Sequence, residues 1–154
     1  MTRILILQGP NLNRLGTREP SHYGSMTLDA IHEEIRRLGD QKGFIPAFYQ
    51  SNHEGAIVDR IHQASEDGTR GVVANLGAYT HTSIAIRDAF LSVDLPVVEV
   101  HLSNVYRRES FRSKSLINDI AIGVIGGFGP VVYRLGILGL LDWLERNNPE
   151  KTHP

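Results

Sequence analysis

Short apolar runs alternate with segments of helical periodicity throughout this chain of 154 residues, and that alternation restricts the fold more than any other feature. In the segments between the runs, apolar residues recur every three or four positions, which is typical of amphipathic helices. Strands that alternate with helices indicate an α/β protein with a parallel sheet. The apolar runs predict five strands, at about residues 3–7, 44–49, 71–74, 97–100 and 120–125.

Four segments have the pattern of helices. The first begins after Thr27, a suitable N-cap, and the second carries Ile57 and Ile61 on its buried face. The third covers about residues 83–92, and the last ends near Arg146. The last helix is apolar on more than one side, which suggests packing beyond a single chain. Right-handed crossovers favour a doubly wound, flavodoxin-like sheet of five parallel strands in the order 2-1-3-4-5, with helices on both faces.

Composition and charge argue against several classes of protein. A net charge of -1 gives no reason to expect nucleic acid or a membrane surface as a partner. The absence of cysteine excludes disulfides, thiolate metal sites and cysteine nucleophiles. No apolar run reaches the roughly 18 residues of a membrane span, and the chain does not begin with a signal-peptide pattern. We therefore expect one cytoplasmic domain over residues 1–154, with a polar tail from about residue 147.

Polar side chains are concentrated in the loops that follow the first, third and fourth predicted strands. These loops cover residues 8–24, 75–83 and 101–115. In open parallel sheets, ligands bind outside the carboxyl ends of the strands, where the strand order reverses. In the order 2-1-3-4-5 that point lies between strands one and three. The three loops are therefore predicted to meet in one cleft.

The residues of this cleft limit its chemistry. No carboxylate cluster or His-Glu-x-x-His motif indicates a catalytic metal, and no Gly-x-Ser-x-Gly motif indicates a serine hydrolase. None of the three lysines lies in an apolar setting suited to a Schiff base. Tyrosine, histidine, arginine and asparagine remain, a set that suits proton transfer and anion binding.

Tyr23 and His101 are the candidate base and acid. A phenol acts as a base near neutral pH only where positive charge favours the phenolate, and Arg14 and Arg18 lie in the same loop. His101 ends the fourth predicted strand. Glu99, two residues earlier, points to the same side of the strand and would orient and charge the imidazole.

Each candidate also has a structural interpretation when it is taken alone. Tyr23 could be a packing residue, Asn75 could cap the turn into the third helix, and Asp88 could be a surface charge. The arginines of residues 103–115 could form a solvated basic loop. The glycine-rich segment 123–129 could cradle a phosphate, but its spacing matches no phosphate-binding motif and favours a tight turn. Convergence on one sheet edge favours the functional interpretation.

Six short motifs, in order along nearly the whole chain, resemble the signatures of type II dehydroquinase, the 3-dehydroquinate dehydratase family. They are Gly9-Pro-Asn-Leu-Asn13, Gly16-x-Arg-Glu-Pro20, Tyr23-Gly24, Ser51-Asn-x-Glu-Gly55, Asn75-x-Gly-Ala-Tyr-Thr-His-Thr-Ser83, and Glu99-Val-His-x-Ser-Asn104 with Arg108 and Phe111-Arg112.

The resemblance implies a reaction and a set of roles. The family dehydrates 3-dehydroquinate to 3-dehydroshikimate by anti elimination through an enolate, without metal or organic cofactor. Tyr23 would be the base, Arg18 would hold it as phenolate, and Asn11 would fix a water that stabilises the enolate oxygen. His101, with Glu99 behind it, would protonate the departing hydroxyl. The residues implied in substrate binding are Asn75, His81, Leu102 through its backbone, Ser103, Arg112 and, from a neighbouring subunit, Asp88.

The resemblance further implies a single catalytic domain and a homododecamer built as a tetramer of trimers. It assigns no individual role to Arg14, Glu19, Arg107 or Arg108. Gln8 stands where the family more often has asparagine, and Leu76 where proline or alanine is common. The alternative from the residues alone is a flavodoxin-like ligand-binding or signalling module. Its receiver form needs an acidic cluster after strand one, where this chain has Gln8-Gly-Pro10.

Overall fold

A computed structural model describes residues 1–17 and 25–151 of the chain. Five strands form one sheet in the order β2-β1-β3-β4-β5, and every neighbouring pair is parallel. This confirms the predicted flavodoxin-like α/β fold. The strands are β1 (Thr2–Gln8), β2 (Phe44–Gln50), β3 (Thr69–Asn75), β4 (Val97–His101) and β5 (Gly123–Gly126).

Helices connect the strands and cover both faces of the sheet. Thr27 caps the first helix, because its hydroxyl accepts a hydrogen bond from the backbone N–H of Ala30, and Ser83 caps the third in the same way. The helices are α1 (Leu28–Lys42), α2 (Glu54–Ala64), α3 (Ile84–Leu91) and α4 (Val131–Arg146). Single helical turns cover Leu12–Arg14, Tyr79–Thr82, Val105–Arg107, Ser110–Ser113 and Pro149–Lys151.

The fifth strand differs from the sequence prediction of residues 120–125. It begins at Gly123, because the preceding residues form a turn in which the N–H groups of Ile120 and Ala121 donate to the carbonyl of Ile117. Ile117 is buried at the start of this turn, whereas Asn118 and Asp119 within it are exposed. The apolar run therefore covers the end of this turn as well as the strand: the N–H of Ile122 donates to the carbonyl of Val97, and the register with β4 begins at Gly123.

Two apolar cores lie on opposite faces of the sheet. β1 is an inner strand, and its side chains alternate between the cores: Ile4 and Ile6 face one, Leu5 and Leu7 the other. The first core lies against α1 and α4, and the second lies against α2 and α3. Because both faces are covered, the inner strands read as continuous apolar runs.

Helix α4 packs unusually close to the sheet. A side chain at Gly136 would place its Cβ 2.9 Å from Cγ1 of Val100, so glycine is required for this approach. Within the single chain α4 buries one face, whereas Val131 and Leu135 on its other side are exposed. The apolar residues on that side are therefore not covered by the rest of the described chain. None of the described helices is both long and apolar enough to cross a membrane.

The edge strand β2 contains a proline. Pro46 pairs with Ile4 of β1, in a register that is regular from Thr2 to Gln8. Proline has no backbone N–H, and it is tolerated in sheets at edge strands where that position faces away from the neighbouring strand.

Candidate active site

A cleft lies at the carboxyl ends of β1, β3 and β4, the edge at which the polar loops were predicted to meet. It encloses about 550 Å³, including its open mouth. Strand order reverses between β1 and β3, so the location agrees with the general rule for ligand sites in such sheets. Its walls are Pro10, Asn11, Leu12, Asn75, Gly77, Ala78, His81, His101, Leu102, Ser103, Val105, Arg108 and Arg112.

Most of the predicted site residues that the structure describes meet in this cleft. Two of them do not line it: Asp88 is exposed on α3, and Arg107 lies outside the cleft wall. Arg18, Glu19 and Tyr23 lie outside the described residues. The predicted residues that line the cleft are Asn11, Asn75, His81, His101, Leu102, Ser103 and Arg112, together with Arg108.

Asn11 is held in a left-handed backbone conformation, with φ of 69°, at the start of the loop after β1. Its backbone N–H donates to Oδ1 of Asn52 at 2.9 Å. Gln50 Nε2 donates to that same Oδ1, and the hydroxyl of Tyr79 donates to the backbone carbonyl of Asn52. Asn52 thus connects the loops after β1, β2 and β3, and stabilises a conformation that is uncommon for a residue other than glycine.

Gly9 allows the loops after β1 and β3 to touch. Its N–H donates to the carbonyl of Asn75 at 2.8 Å. A side chain at this position would place its Cβ 2.1 Å from the carbonyl oxygen of Leu76, well inside van der Waals contact. The glycine of the first motif therefore allows the loops that carry Asn11 and Asn75 to approach each other at the cleft.

His101 and Glu99 form a buried pair at the end of β4. Nε2 of His101 donates to Oε2 of Glu99 at 2.7 Å. The other carboxylate oxygen accepts from the hydroxyl of Ser115 at 2.6 Å. Since Nε2 is engaged, and no described residue bonds Nδ1, Nδ1 is the ring nitrogen available to a ligand. The carboxylate fixes the ring as the sequence predicted.

His81 stands beside His101 on the cleft wall. The ring centroids lie 6.4 Å apart with an interplanar angle of 16°. Nδ1 of His81 donates to the carbonyl of Lys114 at 2.6 Å, which leaves Nε2 for a ligand. Burial lowers the pKa of His81, and the charges of His101 and Arg112 act in the same direction. The neutral ring therefore offers Nε2 as a hydrogen-bond acceptor.

The Asn75 side chain is oriented from below the cleft. Its Nδ2 donates to the hydroxyl of Tyr133 at 3.0 Å, and its Oδ1 lies 3.4 Å from the N–H of Gly77. With leucine at residue 76, the turn after β3 places Asn75 in the wall of the cleft.

Arginines supply the positive wall. Nε of Arg112 donates to Oε2 of Glu109 at 3.0 Å, and this bond lowers the pKa of the Glu109 carboxyl. Nη1 of Arg108 lies 3.5 Å from the hydroxyl oxygen of Ser103. The bond to Nε fixes the plane of the Arg112 guanidinium, whose terminal nitrogens suit a carboxylate.

The glycine-rich segment forms a turn rather than a phosphate loop. The N–H of Gly129 donates to the carbonyl of Leu102 at 2.9 Å, and the N–H of Gly127 lies 3.1 Å from the carbonyls of both His101 and Ser103. These donors are therefore used within the protein. They hold the segment that carries Leu102 and Ser103 in the cleft.

Four supporting residues were missed by sequence reasoning. Asn52, Ser115 and Tyr133 form hydrogen bonds with the candidate site residues Asn11, Glu99 and Asn75, and Gln8 forms one with Tyr133. Asn52 lies within the fourth motif, Tyr133 is a polar group in a largely apolar helix, and Gln8 is a polar group at the end of an apolar strand. Among residues 1–17 and 25–151, no group of three or more histidines, cysteines and acidic residues could hold a metal ion.

Comparison with known proteins agrees with the site. The family model for class II dehydroquinase matches residues 2–141. The chain belongs to this family.

Individual members of the family support the assignment along the whole chain. A 3-dehydroquinate dehydratase from Bordetella avium is 54% identical over 134 residues, which cover 87% of this chain and 93% of that protein. A 3-dehydroquinate dehydratase from Teredinibacter turnerae is 48% identical over 153 residues, 99% of each chain. The crystal structure of type II dehydroquinase from Butyrivibrio crossotus has a TM-score of 0.89 and 45% identity, covering 91% of this chain and 97% of that one.

Proposed function

We propose that this chain is a type II 3-dehydroquinate dehydratase, a hydro-lyase that converts 3-dehydroquinate to 3-dehydroshikimate in the shikimate pathway or in quinate breakdown. The observation that carries the proposal is the buried His101–Glu99 pair at the cleft of a class II dehydroquinase. A histidine that is fixed by a carboxylate and has one free ring nitrogen can deliver a proton to a leaving hydroxyl.

The proposed elimination has two proton transfers. Tyr23, as a phenolate stabilised by Arg18, takes the proton from the carbon next to the ketone, and the electron pair forms the enolate. Asn11, which lines the cleft, fixes the water that stabilises the enolate oxygen. Nδ1 of His101 then protonates the departing hydroxyl, the carbon–oxygen bond breaks and water leaves. These assignments follow the family motif, and the proposal needs no metal or organic cofactor.

Substrate binding is assigned to the remaining walls of the cleft. Arg112 and the backbone of Leu102 are suited to a carboxylate, and Ser103, His81 and Asn75 to hydroxyls. The lowered pKa of His81 supports this role, because a neutral Nε2 accepts from a substrate hydroxyl. The ion pair with Glu109 holds Arg112 in place without using its terminal nitrogens.

The assembly is proposed as a cytoplasmic homododecamer, a tetramer of trimers, in which Asp88 reaches the site of a neighbouring subunit. The same helix, α3, exposes two large apolar side chains, Ile84 at 64% and Leu91 at 56%. Exposed apolar residues beside a proposed site residue suit a contact between copies. Analytical ultracentrifugation tests this, and a monomer at micromolar concentration would contradict it.

Turnover of 3-dehydroquinate tests the activity directly. The product is a conjugated enone, so ultraviolet absorbance should rise when enzyme is added. Tyr23→Phe should lower kcat by at least about a thousandfold while leaving the fold intact, because general base catalysis and phenolate stabilisation are both lost. Tyr106→Phe, on an exposed side chain, is the matched control and should be fully active.

A flat absorbance trace at high enzyme concentration would refute the dehydratase assignment. Near-normal kcat in Tyr23→Phe would refute the assigned base alone. Borohydride with substrate should not inactivate the enzyme. Trapping on a lysine would instead indicate Schiff-base chemistry.

A further inference from the structure

We propose that Tyr133, supported by Gln8, is a positioning residue for the reaction: it fixes the orientation of the Asn75 side chain toward the substrate. This inference rests on the proposed function, because Asn75 matters only if the cleft binds substrate. Tyr133 lies on α4 and does not line the cleft, so its effect would pass through Asn75.

The phenol oxygen of Tyr133 joins two buried amides. Nδ2 of Asn75 donates to it at 3.0 Å, and Nε2 of Gln8 donates to it at 3.1 Å. The three side chains are 1%, 3% and 0% exposed for Tyr133, Asn75 and Gln8. Water therefore has little access to replace either hydrogen bond, and an amide left without its partner would cost about 1–3 kcal/mol.

The geometry determines which part of Asn75 is presented to a ligand. One N–H of Nδ2 goes to Tyr133, and Oδ1 faces the N–H of Gly77. Among the described residues, the second N–H of Nδ2 has no acceptor. With both ends of the amide engaged, rotation about its terminal bond is restricted, and that second N–H is the group left for a substrate hydroxyl.

Gln8 in turn holds the phenol. Its Nε2 donates to Tyr133 while its Oε1 accepts from Nε2 of His32 at 2.8 Å. The His32 ring stacks on Phe48 with centroids 4.1 Å apart. Gln8 is thus fixed at both ends. Asparagine, which the family more often has at this position, is one methylene shorter, so Gln8 has the longer reach toward Tyr133.

Tyr133 acts as a neutral phenol rather than as an acid or base. Burial raises its pKa, and the two amide hydrogen bonds only partly oppose that shift. The role is also separate from packing, since the ring of Tyr133 lies in the first core and phenylalanine would preserve that contact.

The test compares kcat and KM for 3-dehydroquinate in Tyr133→Phe and the wild-type protein. We expect kcat/KM to fall about tenfold, corresponding to the loss of one buried hydrogen bond of about 1–1.5 kcal/mol. Tyr49→Phe, which removes a phenol hydroxyl from the neighbouring edge strand, should change kcat/KM less than twofold. Far-ultraviolet circular dichroism and melting confirm that each variant is folded.

The second arm uses the Asn75→Ala background, in which Tyr133 has nothing to position. There, Tyr133→Phe should change kcat/KM less than twofold, whereas a purely structural effect would persist as the same factor. If Tyr133→Phe fails to fold, Gln8→Met replaces it. This variant keeps the side-chain length and removes the amide, and it should lower kcat/KM severalfold only when Asn75 is present.

Three results would overturn the inference. They are wild-type kcat/KM in Tyr133→Phe, an equal loss with and without Asn75, and, where Gln8→Met is used, an effect independent of Asn75. An inactive wild-type protein would refute the proposed function and the inference with it. If the wild-type protein is active and Tyr133→Phe has the same kcat/KM, only the positioning role is refuted.

Discussion

Replacing Glu99 by glutamine tests the buried pair that supports the proposed acid. The carboxylate has two partners: His101 donates to Oε2 and Ser115 donates to Oε1. The Ser115 hydroxyl oxygen already accepts from the N–H groups of Ile117 and Asn118, so only its proton remains for residue 99. Both partners thus need an acceptor at residue 99 when the Nε2 proton of His101 is in place.

Glutamine supplies one acceptor and one donor, so Glu99→Gln leaves one of these partners mismatched. If its oxygen faces His101, its NH₂ group meets a serine oxygen with no lone pair left. A hydrogen bond to a charged group contributes about 1.5–3 kcal/mol and a neutral hydrogen bond about 0.5–1.5 kcal/mol. The exchange therefore weakens the hydrogen bond between residue 99 and the His101 ring by about 1–2 kcal/mol. The mismatch adds about 1 kcal/mol. A total of about 2–3 kcal/mol corresponds to roughly a 30- to 150-fold fall in kcat.

Steady-state turnover of 3-dehydroquinate measures this fall. Ser115→Ala keeps the charge and removes one neighbouring bond, so kcat should fall only severalfold. Asp142→Asn neutralises an exposed carboxylate that pairs with Arg146, and kcat should not change. If Glu99→Gln retained kcat within threefold of wild type, the carboxylate would not support the proton transfer, and the assignment of His101 as the acid would lose its structural basis.

Three further perturbations test other parts of the structure. Gly9→Ala should lower the free energy of unfolding by about 3 kcal/mol, measured in urea, because the new Cβ has no space against the loop after β3. An unchanged urea midpoint would contradict the close approach of Gly9 to the backbone of Leu76. Asn52→Ala should lower kcat/KM about tenfold, because the backbone N–H of Asn11 loses its hydrogen bond to Oδ1 of residue 52. Changes in KM and kcat below twofold would show that Asn11 keeps its conformation without this bond. Burial lowers the pKa of His32 and His81 from the ordinary value of 6.5. Below that pH the unfolded state binds more protons than the folded state, so the free energy of unfolding decreases as pH falls. The urea midpoint should therefore be lower at pH 5.5 than at pH 7.5, and the difference should shrink when both histidines are changed to asparagine.

The order of the sheet could be predicted because the inner strands are covered on both faces. Runs such as residues 4–7 are continuous apolar segments for that reason, and crossover handedness leaves few arrangements. The same signal was wrong at the start of β5, since the apolar Ile120 and Ala121 belong to a turn, where their N–H groups donate to Ile117 and do not pair with β4. An apolar run does not by itself show where the backbone pairing that defines a strand begins.

The cleft could be predicted from where loops leave parallel strands, but its supporting contacts could not. His101 and Glu99 are two residues apart on one strand, so their meeting follows from strand geometry. Tyr133 reaches Gln8 across 125 positions and Asn75 across 58, and no local pattern encodes such a contact. Close packing of α4 on the sheet, which Gly136 permits, brings the phenol to that position.

Pro46 has a consequence for how copies of this chain can aggregate. An edge strand normally offers a row of free N–H and C=O groups to any other strand, which is the starting point for fibrils and for intermolecular sheets. β2 is such an edge, and the ring of Pro46 removes one donor near its middle. A foreign strand would lack one hydrogen bond of its ladder at this residue. Addition of a strand from another molecule is therefore disfavoured at this edge, even at high protein concentration. Copies of the chain would associate through side-chain contacts instead.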